Sequence, residues 1–123
     1  MPKLSKLTAA FVEDFGVAED RHADLDGYTV NFVTIRQDHD LAPMLSSLPG
    51  GNCQCPHWGY VFKGRLTICY GDQAETVEAG EAFYMPPGHA PAAEAGSEFV
   101  QFSPAEQMAA TTEAIKKAMV SDA

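Results

Sequence analysis

Basic residues are scarce in this chain: Lys and Arg total 8 against 17 Asp and Glu, a formal net charge of −9. That deficit argues against partners that demand clustered positive charge, so neither nucleic acid nor an anionic membrane surface is expected. Cysteine is sparse and odd in number, three in all, which does not make a secreted disulfide framework. No apolar run approaches the length of a membrane span. Glu13 and Asp14 stand where a secretory signal would continue apolar, so none is read in Met1–Gly16. The expectation is a cytoplasmic protein with reduced thiols, a setting that favours metal binding over a disulfide for Cys53 and Cys55. Also missing are a Ser-His-Asp order, a phosphate-binding glycine loop and a nucleotide motif. No carboxylate stands out as a base, because Glu75, Glu78, Glu81, Glu94 and Glu98 all sit beside turns.

What is present is ordinary for a globular protein. The 123 residues are 46% apolar and 20% charged, enough for one domain with a single core. Leu4, Leu7, Phe11 and Phe15 recur at helical spacing and Gly16 follows, which predicts a short N-terminal helix. Asp20–Gly27 is polar and reads as turn. Tyr28–Arg36 alternates apolar with polar and is rich in β-branched and aromatic residues, the pattern of a strand. Asp38–Asp40 reads as a solvated turn, and Leu41–Leu48, interrupted by Pro43, fits either a short strand or a loop.

From His57 the chain becomes a series of short strands. They are His57–Lys63, Arg65–Tyr70, Glu75–Glu78, Glu81–Met85, His89–Ala93 and Glu98–Phe102, separated by glycine and proline turns. The gaps leave no room for crossover helices, so the sheet is antiparallel and the fold a sandwich or barrel. Ser103-Pro104-Ala105-Glu106 then reads as a helix start, with Ser103 as N-cap and Glu106 closing a capping box. Met108, Thr112, Ile115 and Met119 give the buried stripe of a C-terminal helix running to about Val120. The layout is an N-terminal helix and lead-in over 1–27, a β sandwich or barrel over 28–103 and a C-terminal helix over 104–123, one domain in all.

The segment from Tyr28 to Phe102 resembles the cupin superfamily, whose first motif is written G(X)5HXH(X)3,4E(X)6G and second G(X)5PXG(X)2H(X)3N. Gly80, five residues, then Pro86-Pro87-Gly88 matches the start of the second motif, and Gly64 matches the closing glycine of the first. The resemblance implies an antiparallel jelly-roll β-barrel, a bound divalent metal, a small-molecule ligand and a homodimer. The ligand positions depart from the pattern. His57 occupies the position of the family's Glu, Cys53 that of the second His of the pair, and Gly51 that of the first. Pro91 stands where the second motif has its His, with His89 two residues earlier, and Ala95 where it has Asn.

Read for their chemistry, Cys53, Cys55 and His57 share one face if the backbone is extended, and a returning strand with His89 completes a Cys2His2 set. Thiolate and imidazole donors in a tetrahedral set favour zinc. Four protein ligands make a closed structural site, whereas three leave an open position for water or substrate, and the spacing permits both. The expected activities follow the same division: a metal-binding protein with a small-molecule pocket, a non-catalytic module stapled by its metal, or an iron-dependent dioxygenase or isomerase. Cys69 reads as a buried small residue, and His22 and His39 as solvated loop residues. If His57 points inward, Gly59 leaves space beside it for a pocket that Phe83 or Tyr84, Met85 and Gln101 help to line. Trp58, Tyr60 and Phe62 then point outward and need a cover, from the terminal helices or a second copy of the chain.

Overall fold

The computed structural model of the chain describes residues 3–121, with the side chains of 119–121 left out, so Met119 of the helical stripe lies outside the described residues. Among the described residues, ten strands form two antiparallel sheets. β1 (Phe11–Asp14), β2 (Ala18–Leu25), β3 (Tyr28–Ile35), β5 (His57–Lys63), β8 (Ala82–Met85) and β10 (Glu98–Pro104) make a six-stranded sheet in the order β1-β2-β3-β10-β5-β8. β4 (His39–Asp40), β6 (Arg65–Tyr70), β7 (Gln73–Glu78) and β9 (Ala90–Ala93) make the second, in the order β4-β9-β6-β7. The long helix α1 (Ala105–Ser121) follows β10. Among the described residues, no helix is long and apolar enough to cross a membrane.

The strands from β5 onward lie within two residues of their expected limits, because β5 to β9 are each followed by the glycine or proline turn that marked them in the sequence. At Gly64 the turn requires glycine. Its φ is +76°, and a Cβ there would meet Ser97, whose side chain is held between the Arg65 N–H (2.9 Å) and carbonyl (3.1 Å).

Two expectations fail at the N-terminus. The stripe predicted as a helix instead enters β1, where Phe11 and Val12 are exposed, and the polar stretch read as turn is β2, paired along its full length with β3. Ala18 and Asp20 of β2 are buried and His22 is half-buried on the same face, so polar residues sit where a strand pattern demands apolar ones. Leu41–Leu48 is neither strand nor plain loop but contains a 3-10 turn at Ala42–Leu45. His39 lies in β4 and His22 in β2, both half-buried rather than solvated, and Cys69 is exposed rather than buried.

The core forms where the sheets face each other, around Ile35, Val61, Leu66, Ile68, Val77, Phe83, Met85 and Phe99. A second apolar cluster of Leu45, Cys53, Cys55, Ala90 and Met108 lies under α1. At roughly 25 cal/mol per Å2 of apolar surface, each fully buried aliphatic side chain in these clusters contributes about 1.5–3 kcal/mol. The two clusters fix the sheets and the helix around the space between them.

Candidate metal centre

His57 begins β5 and faces inward with Val61, while Trp58, Tyr60 and Phe62 face out at 41–50% exposure, as alternation requires. His89 precedes β9. Cys53 belongs to no strand but makes an isolated β-bridge with His89: the Cys53 N–H donates to the His89 carbonyl (2.9 Å), and the Gly88 and His89 N–H groups donate to the Cys53 carbonyl (2.8 and 3.3 Å). That backbone clamp carries the loop after Gly51 to the start of β9. It gathers Cys53, His57 and His89, all buried, with their ligand atoms within 4.8 Å of one another.

The donors are prepared for a cation. His89 Nδ1 lies 2.6 Å from the Pro86 carbonyl, which can only accept, so Nδ1 carries the hydrogen and Nε2 presents its lone pair. That Nε2 is buried and has no hydrogen-bond partner, a cost that a bound metal would remove. His57 Nδ1 lies 2.6 Å from Ser103 Oγ, which orients the ring so that Nε2 faces Cys53 Sγ at 3.6 Å. In a tetrahedral zinc site with bonds of about 2.3 Å to sulfur and 2.0–2.1 Å to nitrogen, the sulfur–nitrogen edge is also about 3.6 Å. Burial, with the His89 ring beside it, pushes His57 down to about 3, and burial also lowers His89. Both imidazoles are therefore neutral at pH 7 and free to ligate. Burial raises the Cys53 thiol, so a metal must displace its proton.

Cys55 is not in this group. Its thiol donates to the Pro56 carbonyl (3.6 Å), and burial, then Cys53, pushes it up to about 12. Pro56 separates Cys55 from the strand, so the shared face expected for the four residues reduces to three. Two supporting residues were not legible in the sequence. Ser103 reads as a helix cap, yet β10 continues through it to Pro104, and its hydroxyl serves His57. Thr111, on α1, reaches to 3.7 Å from Cys53 Sγ, and helical spacing from Met108 was its only signal.

No family model matches the sequence and no curated protein is similar to it. Solved structures are similar in fold. One from Rhizobium leguminosarum, of unknown function, is 20% identical with a TM-score of 0.62, over 84% of this chain and 95% of that one. An RmlC-like cupin from Shewanella frigidimarina is 17% identical with a TM-score of 0.54, over 76% and 83% of the two chains. The chain has a cupin fold. KdgF from a Halomonas species is likewise 17% identical, with a TM-score of 0.52 over 76% and 87%.

Within this cupin fold the three donors open onto a cavity of about 150 Å3 between the sheets and α1. Its walls are mostly apolar, including Val33, Leu41, Met44, Met85, Phe99 and Ile115. Asp20 and Gln101 also reach it, as Met85 and Gln101 were expected to. Phe83 and Tyr84 do not, since Tyr84 faces outward and the Phe83 ring fills the space above Gly59 that was expected to be pocket. Among the interior polar groups, Asp20 is held in place by Asn31. Asn31 Nδ2 donates to both Asp20 oxygens at 3.1 Å, and burial holds the Asp20 carboxyl above its ordinary range against the pull of that bond. The site can thus bind a metal through three donors and a small molecule beside it.

Proposed function

We propose that this protein is a metal-binding cupin in which Cys53, His57 and His89 hold a divalent metal, zinc by its donor chemistry, at one end of a small-molecule cavity. The observation that carries the reading is the unpartnered, buried Nε2 of His89, aimed at a thiol and a second imidazole Nε2. Soft thiolate with two imidazoles suits zinc. No carboxylate shares the group among the described residues, which weighs against an iron oxygenase with a His-and-carboxylate set. Three donors leave an open position toward the cavity, where the metal would polarise a ligand oxygen or lower the pKa of a bound water. Within that arrangement the protein's own residues orient and exclude: the Pro86 carbonyl and Ser103 hydroxyl set the two imidazoles, and the apolar walls keep bulk water out.

The closed alternative, a structural Cys2His2 site with Cys55 as fourth ligand, is the weaker reading because the Cys55 sulfur lies outside the group of donor atoms that Cys53, His57 and His89 bring within 4.8 Å of one another. The two facing sheets support a jelly-roll barrel. The outward aromatic row of Trp58, Tyr60, Phe62, Tyr84 and Phe102 supports a homodimer through that face, and the thiol ligand fits the reducing cytoplasm. Purified protein is expected to carry about one equivalent of zinc, lost in Cys53→Ser and retained in Cys55→Ser. Folded protein that takes up no zinc would refute the reading, and loss of zinc in Cys55→Ser would replace it with the closed site.

A further inference from the structure

The cavity has a second polar end that the metal reading does not use. Asp20 and Gln101 are each 8% exposed, and both line the cavity that Cys53, His57 and His89 reach from the other side. β2 and β5 are separated by β3 and β10 in the sheet order, so the inner face places Asp20 and His57 on opposite flanks of the cavity. Gln101, on β10, pairs with Gly59 of β5 and stands between them. The carboxylate is anchored by Asn31, whose Nδ2 occupies one lone pair on each oxygen and leaves others free. The Gln101 amide makes no hydrogen bond to another side chain or to the backbone among the described residues. Its polar atoms are not sealed in the core, so they stay accessible from the cavity that Gln101 lines.

We propose that Asp20 and Gln101 form the far pole of the ligand site: they accept a hydrogen bond from, and position, a small molecule whose other end coordinates the metal. The inference rests on the open metal position proposed above. Its ligand class follows from size and polarity. A cavity of about 150 Å3 holds a molecule on the order of six heavy atoms, as an engineered apolar cavity of that size holds benzene. The walls require an apolar middle, the thiolate–imidazole metal a thiol or carbonyl donor at one end, and Asp20 a hydroxyl or amine at the other. An apolar cavity without this pole would prefer the more hydrophobic of two isosteric ligands.

The test uses full-length protein loaded with cobalt(II), whose absorption reports thiolate joining the metal, titrated with 4-mercapto-1-butanol and with 1-pentanethiol. These match in length and differ by a hydroxyl in place of a terminal methyl. Wild-type protein is expected to bind the hydroxy thiol about tenfold more tightly, the worth of one hydrogen bond to a buried group. In Asp20→Leu the preference reverses toward pentanethiol with cobalt content unchanged, and Asp20→Asn keeps part of it. Gln101→Leu, expected to reduce the preference, carries the comparison if Asp20→Leu fails to fold. Binding of both thiols with equal affinity, or with the pentanethiol preference already in wild type, overturns the proposal alone. Cobalt-loaded protein that takes neither thiol has a closed metal site, which overturns the open-site reading and this inference with it.

Discussion

β5 and β2 lie on either side of the β3–β10 pair in one sheet, yet they are built on opposite principles. β5 alternates His57, Gly59 and Val61 inward with Trp58, Tyr60 and Phe62 outward. β2 turns Asp20 and His22 inward, and its opposite face carries Glu19 and Arg21, which pair at 2.6 Å. β5 is held by packing, with Val61 fully buried and the Phe83 ring against Gly59. β2 is held by its backbone ladder to β3 and by polar contacts such as Thr29 Oγ1 donating to Asp24 at 2.7 Å and Asn31 donating to Asp20. The lesson is that an inner sheet face need not be apolar when what covers it is a cavity and a helix rather than another sheet. β5 contributes apolar packing to the core, and β2 contributes buried polar groups.

The largest break in that comparison is metal removal. If the metal staples the β5 side through His57, stripping zinc by a chelator should lower unfolding free energy by about 4 kcal/mol where free zinc stands a thousandfold above its dissociation constant. Chemical denaturation with and without chelator measures it, and Cys53→Ser should show no difference. Zinc uptake at neutral pH should release about one proton, from Cys53, because both imidazoles are already neutral. Weakly buffered indicator titration reads it, and the affinity should fall as pH is lowered.

Next in size is a paired substitution. Val61→Ala, in the packed core, should cost about 2–3 kcal/mol. His22→Phe on β2 removes an imidazole whose buried Nδ1 lacks a hydrogen-bond partner and keeps the stacking on Phe11, at 5.5 Å between ring centroids. It should fall within about 1 kcal/mol of wild type. Equal losses at the two positions would erase the distinction between the strands.

Acid sharpens the contrast in metal-free protein. The folded-state pKa of His57 is depressed to about 3, so between an unfolded value near 6.5 and about 3 the unfolded chain holds a proton that the folded chain refuses. Stability from His57 is full above that window and lost as pH falls through it, at no more than about 1.4 kcal/mol per pH unit. Asp20 acts in the other direction. Its folded pKa is raised by burial, so its contribution falls as pH rises from the unfolded carboxyl value through its own. Asp20→Asn should therefore steepen the acid loss, which denaturation at pH 4, 5 and 6 tests.

The smallest effect belongs to the outer face of β5. Tyr60→Thr should leave unfolding free energy within about 0.5 kcal/mol at concentrations where the chain is monomeric, while weakening self-association measured by sedimentation. A monomer at all concentrations, in wild type and variant alike, would remove the dimer from the proposed assembly.

The strands from β5 to β10 were legible because alternation and glycine turns are local signals, and the direction of His57 and of the three aromatics followed from parity. Cys53, Cys55, His57 and His89 were recognisable as metal-ligating types for the same reason. β1 and β2 were not legible: a helical stripe and a polar inner face both mimic other structures when the covering layer is unknown. The separation of Cys55 from Cys53, the capture of Ser103 by His57 and the meeting of Asp20 with Cys53, His57 and His89 across one cavity are also not local. They depend on the Cys53–His89 backbone bridge, on β10 continuing through Ser103, and on α1 folding back over the sheet. The order of residue types along the chain determined which chemistry this protein can hold. Only the tertiary structure decided which donors meet, because distances between segments far apart in sequence are set by packing, for which the chain carries no local sign.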